Sequence, residues 1–303
     1  EGEPTVPMIH ELMAVPFGAT PRVSIKNYTV NEYKLSDFGI NTLMPRQPSL
    51  RKDVNPEDVE FVYNAASYQK RGLAEAPEAT IEVQGTMRGI RIGSMEISPV
   101  SYDPVGNVIR VFNDIEVEVS FENADAEETE RMLLNTYSPY FDVVYKQMFN
   151  HRAINDVYTD HPDLMAYPVH MLVIAPENYI STLEPWTNWK IQKGFDVEVY
   201  TTAQAGSNYN AIRSFVQEKY NTGVSMGKTP TFLILVGDVA QMPNTTGNQT
   251  QKVTDLYYGS IDSDYFPDMF YSRMSAETTG QLTAIINKIL QYEQYTMPDP
   301  SYL

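Results

Sequence analysis

Three aspartates in one short segment are the residues of this sequence best suited to binding an ion. Asp262, Asp264 and Asp268 fall within seven residues, with the backbone carbonyl of Phe266 among them. Ca²⁺ takes about six to eight oxygen ligands and mixes carboxylates with backbone carbonyls, so this spacing suits it. The segment lacks the turn glycine and the closing glutamate of an EF-hand loop. Two interpretations remain open: a calcium site, or an acidic turn screened by water.

Elsewhere the sequence offers no nucleophile paired with a base. It contains no cysteine, which excludes disulfides, thiolate metal sites and a cysteine nucleophile within these residues. No two of its histidines have the spacing of a zinc pair, and His170 lies in an apolar run typical of a core residue. No G-x-S-x-G, G-x-G-x-x-G or Walker A motif is present. Taken alone, these residues do not describe a self-sufficient enzyme.

Asp238 is a second candidate for ion binding. It follows Leu235-Val-Gly at the carboxyl end of a predicted parallel strand, where α/β sheets usually place their sites. Its carboxylate is suited either to a second cation or to capping the turn that follows.

The composition limits the possible partners and the compartment. The chain has 303 residues, enough for two domains, and a formal net charge of −17. That charge argues against nucleic acid and anionic membranes, which bind through Lys and Arg, and it suits a secreted or cation-binding protein. No run approaches the roughly 20 apolar residues of a membrane span. The first residues, Glu-Gly-Glu-Pro, lack the features of a signal peptide, so we expect any such peptide to have been removed.

The first part of the chain has the period of β-strands. Apolar and polar residues alternate in Thr80–Gln84, Arg91–Ile97 and Asp114–Phe121, which predicts half-buried strands in an antiparallel sandwich or meander. A helix is predicted from about Ala126 to Asn135, with Asp125 as its N-cap.

The second part has the pattern of an α/β domain with a mainly parallel sheet. Buried strands are predicted at Val169–Ala175, Phe195–Tyr200 and Thr231–Gly237. Predicted helices separate them, one of them Asn210–Tyr220 ending near Gly223, and this order implies right-handed crossovers. Two β-like runs, Leu256–Ile261 and Met269–Met274, flank the acidic segment, and a last helix includes Leu282, Ile285, Ile286 and Ile289.

The two parts meet at a polar segment, residues 150–155. We place the domain boundary after Arg152, which gives domains of residues 1–152 and 153–303. Arg152 in such a linker is a natural site for a trypsin-like or Arg/Lys-specific cut, although the segment also fits an ordinary interdomain linker.

Several segments resemble one family closely, the gingipains, which are secreted cysteine peptidases specific for Arg or Lys. The matching segments are residues 156–161, Trp186–Gly194, Phe232–Asp238, Lys252–Tyr258, the acidic segment and Thr296–Tyr302. All but the first look most like the Lys-specific member. Upstream, Gly85-Thr-Met-Arg-Gly-Ile-Arg91, with Asn150 and Arg152, resembles the family's propeptide and its processing junction.

This resemblance implies a β-rich propeptide followed by the first subdomain of a caspase-like α/β catalytic domain. In the family, the catalytic His and Cys belong to a second subdomain, which agrees with the absence of cysteine here. No catalytic residue is therefore assigned, and this chain alone should be inactive. Its expected partners are that second subdomain and, for the mature enzyme, protein substrates. The expected location is the bacterial outer surface or the medium, after export through the periplasm, in the role of a virulence factor.

The resemblance also assigns roles to particular residues. The family binds calcium at the acidic segment, so Asp262, Asp264 and the Phe266 carbonyl become expected ligands. Asp268 stands where the Lys-specific enzyme has Glu, which leaves its coordination mode open. Family propeptides block the active cleft with a basic side chain, a role that fits Lys70, with Arg71 beside it, unless the pair is simply an exposed basic turn.

Two alternatives to the zymogen interpretation remain. The chain could be a propeptide-type inhibitor and folding partner without activity of its own. A surface β-domain for adhesion would explain the tyrosine-rich first part but not the peptidase-like second part. The residues do not decide between Lys and Arg specificity.

Overall fold

The computed structural model describes residues 1–161, 168–247 and 252–297. The chain forms two compact units, Glu1–Val83 with Gly93–Ala124, and Gln84–Ile92 with Asp125–Leu303. The compact units therefore separate after Ala124, and the division after Arg152 does not coincide with them. The boundary after Arg152 stays a prediction about domains in the sequence.

The first unit is built from β-strands, which confirms the β-rich prediction. Its strands are β1 (Ile9–Val15), β2 (Thr20–Lys34), β3 (Glu78–Met87), β4 (Ile90–Ser98), β5 (Val100–Asp103) and β6 (Val108–Glu122). Short 3₁₀ helices lie at Leu35–Phe38, Pro56–Asp58 and Ser67–Gln69. The strands form two sheets, ordered β1-β4-β3 and β2-β6-β5, and β6 pairs antiparallel with both of its neighbours. Met13 and Val15 of β1 pack with Ile81 of β3 and Val119 of β6, so the two sheets share one core.

The hairpin β3–β4 passes from one unit to the other. Its turn, residues 84–92, groups with the second unit. Arg88 and Gly89 form the two-residue turn, and both have positive φ, 45° and 75°. Positive φ at both central residues is the geometry that suits the twist of a tight hairpin.

The second unit is an α/β unit with a parallel sheet. Before the sheet come α1 (Ala126–Asn135), α2 (Asp142–Tyr145) and α3 (His151–Asp160). The elements that follow are β7 (Val169–Ala175), a 3₁₀ helix (Glu177–Tyr179), α4 (Ile180–Gln192), β8 (Phe195–Thr201), α5 (Thr202–Ala205), α6 (Tyr209–Met226), β9 (Phe232–Val236), β10 (Thr245–Thr246), β11 (Val253–Thr254), α7 (Leu256–Gly259), β12 (Phe270–Met274) and α8 (Thr279–Glu293).

The parallel sheet has the order β12-β9-β7-β8, with every pair parallel, as the sequence predicts. Its continuous apolar strands are covered on both faces. On one face, Leu172 and Leu233 pack against α6. On the other, Val173 packs against α4, whose Trp186 is buried, and against Leu282 of α8. Because both faces are buried, the sheet is a rigid base for the loops at its two ends.

Several predictions of local structure are tested directly. Asp125 caps α1 as predicted, since its side chain accepts a hydrogen bond from the N–H of Glu128. The β-like prediction for Leu256–Ile261 is wrong at its start, because Leu256–Gly259 forms one helical turn that buries Tyr258. Gly259 then lies so close to Tyr271 that a Cβ would approach its ring to 2.9 Å, a contact that no local pattern could reveal.

One helix prediction needs correction, and one predicted linker is helical. Helix α6 does not end near Gly223 but continues to Met226 and ends at Gly227, which has a φ of 66°. Gly223 lies inside the helix, at a position where residues 228–230 pass so close that a Cβ would lie 2.7 Å from the carbonyl oxygen of Lys228. The polar segment 150–155, which the sequence suggests as an interdomain linker, begins α3, whose Ile154 is buried. In the part of the chain that the structure describes, no helix has the length and apolarity to cross a membrane.

Candidate functional site

The acidic segment lies between α7 and β12, at the amino end of the parallel sheet. Phe270, the first residue of β12, pairs with Phe232, the first residue of β9. Asp268 therefore lies beside Thr229, Pro230 and Thr231, which precede β9. This end is opposite to the carboxyl edge where α/β folds usually place catalytic groups.

Asp264 is held mainly by backbone N–H groups. Its Oδ1 accepts from the N–H of Phe266 at 2.7 Å, and its Oδ2 accepts from the N–H of Thr86 at 2.7 Å. Gly85 permits the second contact, because a Cβ there would lie only 2.3 Å from Oδ2 of Asp264. Loss of solvation, followed by the charge of Asp264, raises the pKa of the neighbouring Asp262. The two carboxylates therefore form a pair of like charges.

Asp268 faces inward and is only 4% exposed. Its Oδ1 accepts from the N–H of Arg88 at 2.7 Å, and its Oδ2 accepts from the N–H of Ile261 at 2.8 Å. Burial raises the pKa of this carboxyl to about 7, against the opposing effect of these two hydrogen bonds. Asp268 thus joins the turn of the hairpin β3–β4 to the acidic segment.

These contacts test how well the segment fits a calcium ion. Within residues 1–161, 168–247 and 252–297, no group of three or more His, Cys, Asp or Glu side chains is arranged to hold a metal. The three aspartates therefore do not converge on one point. The donor chemistry still suits calcium, since Asp262 and Asp264 are close carboxylates and the Phe266 carbonyl is a hard oxygen ligand. Calcium binding by these residues stays a prediction.

A site that the sequence did not predict lies around Arg88. This side chain is fully buried. Its Nη1 donates to the carbonyls of Pro230 at 2.6 Å and Asp268 at 3.2 Å. Its Nη2 donates to the carbonyl of Thr229 at 3.1 Å and to Oγ1 of Thr231 at 3.0 Å. Five polar groups on two chain segments, residues 229–231 and Asp268, therefore hold one residue, counting the carboxylate that binds its N–H.

The surroundings of Arg88 are polar and closed. Its carbonyl accepts from the hydroxyl of Thr136 at 2.9 Å and from that of Tyr145 at 3.4 Å, and its guanidinium carbon lies 4.9 Å from the centre of the Phe141 ring. Burial lowers the pKa of Arg88 from its usual value. Three buried atoms here have no partner: Nε of Arg88 and the hydroxyls of Tyr158 and Tyr220. Buried polar atoms of this kind commonly bind an internal water.

One signal in the sequence could have indicated this site. Tight hairpin turns favour Asn-Gly, whose residues accept positive φ readily, whereas Arg at the first position costs on the order of 1–2 kcal/mol. An arginine held in this conformation by tertiary contacts is evidence of a specific role. The groups that accept from the guanidinium of Arg88 are more than 140 residues away in sequence, so no local pattern could identify them.

The basic pair Lys70–Arg71 lies in the first unit, after the 3₁₀ helix Ser67–Gln69. The Nζ of Lys70 is 4.0 Å from Glu3 Oε1, and its side chain is 71% exposed. The segment is anchored on both sides. Before it, the hydroxyl of Tyr68 donates to the carbonyl of Leu43 at 2.8 Å. After it, hydrogen bonds from the N–H groups of Gly106, Gly72 and Val105 lower the pKa of Asp103. The first unit therefore presents Lys70 on a fixed base, and its inhibitory role stays a prediction.

The remaining candidates have simple surroundings. Arg152 is exposed in the first turn of α3, so a protease could reach it only after that turn opens.

The carboxylate of Asp238 accepts from the hydroxyl of Ser275 at 3.0 Å, and the backbone carbonyl of Asp238 accepts from the N–H groups of Gln241 and Met242. The backbone of Asp238, and not its side chain, begins the turn. Binding of a second cation there stays a prediction.

At the carboxyl end of the sheet, Arg273 of β12 connects two loops, the one that follows β9 and the one that precedes α7. It forms two hydrogen bonds of 2.7 Å to the carboxylate of Asp255 and donates to the carbonyls of Gly237 and Met242. This paired geometry fixes the loops at the edge where such folds place substrate.

Comparison with protein families divides the chain into two matching regions. Residues 1–149 match the family model Propeptide_C25, and residues 165–302 match the model of Peptidase family C25. The predicted boundary after Arg152 falls in the interval between them.

Comparison with individual proteins points to the same group. Lys-gingipain of Porphyromonas gingivalis ATCC 33277 is 48% identical over 304 residues, which cover 100% of this chain and 17% of that protein. Gingipain R2 of P. gingivalis W83 is 26% identical over 310 residues, which cover 100% of this chain and 40% of that protein. The chain thus spans less than half the length of these relatives. A solved structure concerned with the zymogenic latency of gingipain K from P. gingivalis aligns over 41% of this chain and 68% of its own, with 48% identity and a TM-score of 0.38.

Proposed function

The chain belongs to peptidase family C25, the gingipains, and on this premise we propose that it serves a cysteine endopeptidase cleaving after lysine. It comprises a gingipain-like propeptide and the start of a catalytic domain. The observation that carries the proposal is the 48% identity to Lys-gingipain along the whole chain, against 26% for gingipain R2. The difference favours lysine over arginine as the residue before the cleaved bond.

The chemistry proposed is attack by a cysteine thiolate prepared by a nearby imidazole. The 303 residues contain no cysteine, so the nucleophile must come from outside them. The contribution of this chain is then the α/β base of the active site. Arg273, which fixes the loops at the carboxyl edge of the sheet, is the residue best placed to support that role.

We also propose that the propeptide keeps the enzyme latent through Lys70. The exposure of this side chain and the anchoring of its segment suit insertion into a pocket that selects lysine. Calcium bound by Asp262, Asp264 and the Phe266 carbonyl would stabilise the acidic segment without a part in bond cleavage. Export to the bacterial surface or the medium completes the proposal.

The test of enzymatic function uses the full-length gene product that contains this chain. After activation, it should cleave peptide substrates with lysine before the scissile bond much faster than matched arginine substrates. A thiol-alkylating reagent should abolish the activity. Equal cleavage of both substrates would contradict the specificity, and insensitivity to the reagent would contradict the mechanism.

The test of latency uses the 303-residue chain as an inhibitor of that activated enzyme. The wild-type chain should inhibit, Lys70→Ala should inhibit much less, and Arg71→Ala serves as the matched control. Undiminished inhibition by Lys70→Ala would show that another residue blocks the cleft.

A second candidate function, a folding partner for the catalytic domain, is favoured by one observation. Residues 84–92, which match the propeptide model, pack within the α/β unit through Arg88. Refolding yield of the α/β unit should therefore depend on this hairpin turn.

A further inference from the structure

The guanidinium group of Arg88 is bound by neutral hydrogen-bond acceptors, unlike the guanidinium of an ion pair. Its two Nη atoms meet the carbonyls of Thr229, Pro230 and Asp268 and the hydroxyl of Thr231. None of these four acceptors is a charged side chain. The arrangement of these four acceptors therefore favours a planar, branched donor, and the Phe141 ring adds a cation–π contact with the delocalised charge.

We propose that the second unit contains a binding site for guanidinium groups at the amino end of its parallel sheet. We call this site the arginine socket and define it by Phe141, Thr229, Pro230, Thr231 and Asp268. Its ligand class is the arginine side chain presented at a tight turn, and Arg88 is the ligand in this chain. The socket requires no peptidase activity, so it does not rest on the proposed enzymatic function.

Two of the socket residues, Thr229 and Thr231, are held in place by groups other than the ligand. Thr231 donates its hydroxyl proton to Oγ of Ser138 at 3.0 Å, which leaves an oxygen lone pair of Thr231 directed to the guanidinium. Thr229 donates from its own hydroxyl to the carbonyl of Asn135 at 2.8 Å. Thr229 and Thr231 are 4% and 2% exposed, so neighbouring residues fix their positions. Contacts between residues 135–138 and 229–231 therefore hold the threonine acceptors in place, and residues 84–92 deliver the ligand.

The geometry discriminates between the two basic side chains. Four hydrogen bonds leave two nitrogen atoms in different directions, which the planar guanidinium provides and a single ammonium nitrogen does not. The socket should therefore bind guanidinium compounds and reject alkylammonium ions of equal charge.

The test is chemical rescue in the full 303-residue chain. Arg88→Ala removes the part of the side chain that ethylguanidinium would replace. The variant should melt at a lower temperature than the wild type. Millimolar ethylguanidinium should restore most of that loss with saturable binding of one molecule per chain, whereas propylammonium should have no effect. Arg131→Ala is the matched control, since Arg131 pairs with Glu128 near the surface, and ethylguanidinium should not raise the melting temperature of this variant.

The outcomes are decisive in either direction. Rescue by ethylguanidinium alone supports the socket. No rescue, or equal rescue by both cations, overturns it. If Arg88→Ala does not fold without ligand, refolding yield with each cation replaces the melting temperature.

A measurement on the unaltered chain gives an independent test. With ¹⁵N-labelled arginine, the Nη protons of Arg88, assigned by their proximity to the Phe141 ring, should exchange with water at least 100-fold more slowly than those of Arg131. Exchange at equal rates would overturn the proposal even if every variant failed to fold.

Discussion

Replacement of Arg88 by Lys keeps the positive charge and removes the branched donor. The change therefore isolates the contribution of the hydrogen-bond geometry to the free energy of unfolding. The wild-type guanidinium makes four hydrogen bonds to buried acceptors, at 2.6 to 3.2 Å. The ammonium of lysine is a single nitrogen, which we expect to keep about two of them. Each buried acceptor that loses its partner costs about 1–3 kcal/mol. The expected loss in the free energy of unfolding is therefore about 2–4 kcal/mol, since some loss is recovered by local adjustment.

The chain offers a clean probe for this measurement. Its two tryptophans, Trp186 and Trp189, both lie in α4 of the second unit, so tryptophan fluorescence follows the unfolding of that unit alone. Urea titrations at constant pH would compare Arg88→Lys with Arg131→Lys. The control changes a surface ion pair and should alter the free energy by at most about 0.5 kcal/mol. A unit of this size should lose roughly 5–15 °C in melting temperature from the Arg88 change.

One result would refute the reasoning. If Arg88→Lys shifted the urea midpoint no more than Arg131→Lys, the four short contacts would contribute no net stability. A change in the slope of the urea dependence would instead mean that the hairpin turn is no longer ordered in the native state.

Three further predictions concern the same unit. Gly85→Ala should destabilise it by about 1–3 kcal/mol, because the new Cβ would lie 2.3 Å from Asp264 Oδ2. The control Gly280→Ala, which has space for a Cβ, should change the free energy of unfolding by less than about 0.5 kcal/mol, and equal effects of the two substitutions in urea titrations would exclude the steric cause. Burial lowers the pKa of His170 below its usual 6.5, although Asp196 lies beside it. The unfolded chain therefore binds the proton more tightly, and the stability of the unit should fall as the pH drops through 6.5. In thermal melts between about pH 7 and 5, His170→Gln should weaken this pH dependence, and an unchanged pH profile would contradict the prediction. Calcium should raise the melting temperature of the wild type but not of Asp262→Asn, and an equal rise in both would place any bound calcium elsewhere.

Much of the fold follows from short-range patterns in the sequence. The alternation in Asp114–Phe121 and the continuous apolar run Val169–Ala175 are direct consequences of one buried face and two buried faces. The N-cap of α1 is equally local, because the side chain of Asp125 reaches a backbone N–H only three residues ahead. Such elements are predictable because the pattern or contact that indicates each of them lies within a single short segment of the sequence.

The exceptions depend on residues far apart in the sequence. Gly259, in the helical turn at Leu256–Gly259, lies against the ring of Tyr271, and Gly223, inside α6, lies directly under residues 228–230. The arginine socket is the extreme case, since its ligand and its acceptors are separated by about half the chain. The sequence indicates only that an arginine occupies a turn position that would suit asparagine better.

The site around Arg88 also changes the physical interpretation of the acidic segment. From sequence, three close carboxylates require either a cation or bulk water to offset their repulsion. In the structure, five backbone and side-chain donors already bind Asp264 and Asp268, and two of them come from residues 86 and 88 of the hairpin turn. If the turn leaves, Asp268 loses one donor while it stays buried, and the carbonyls of Thr229 and Pro230 lose the guanidinium of Arg88 as a donor. Unpaired buried groups of this kind are costly. The ordering of residues 84–92 and that of the acidic segment should therefore be coupled, so that hydrogen exchange at Ile261 and at Arg88 speeds up together in Gly85→Ala. Independent exchange at these two amides would show that the segment keeps its structure without the turn.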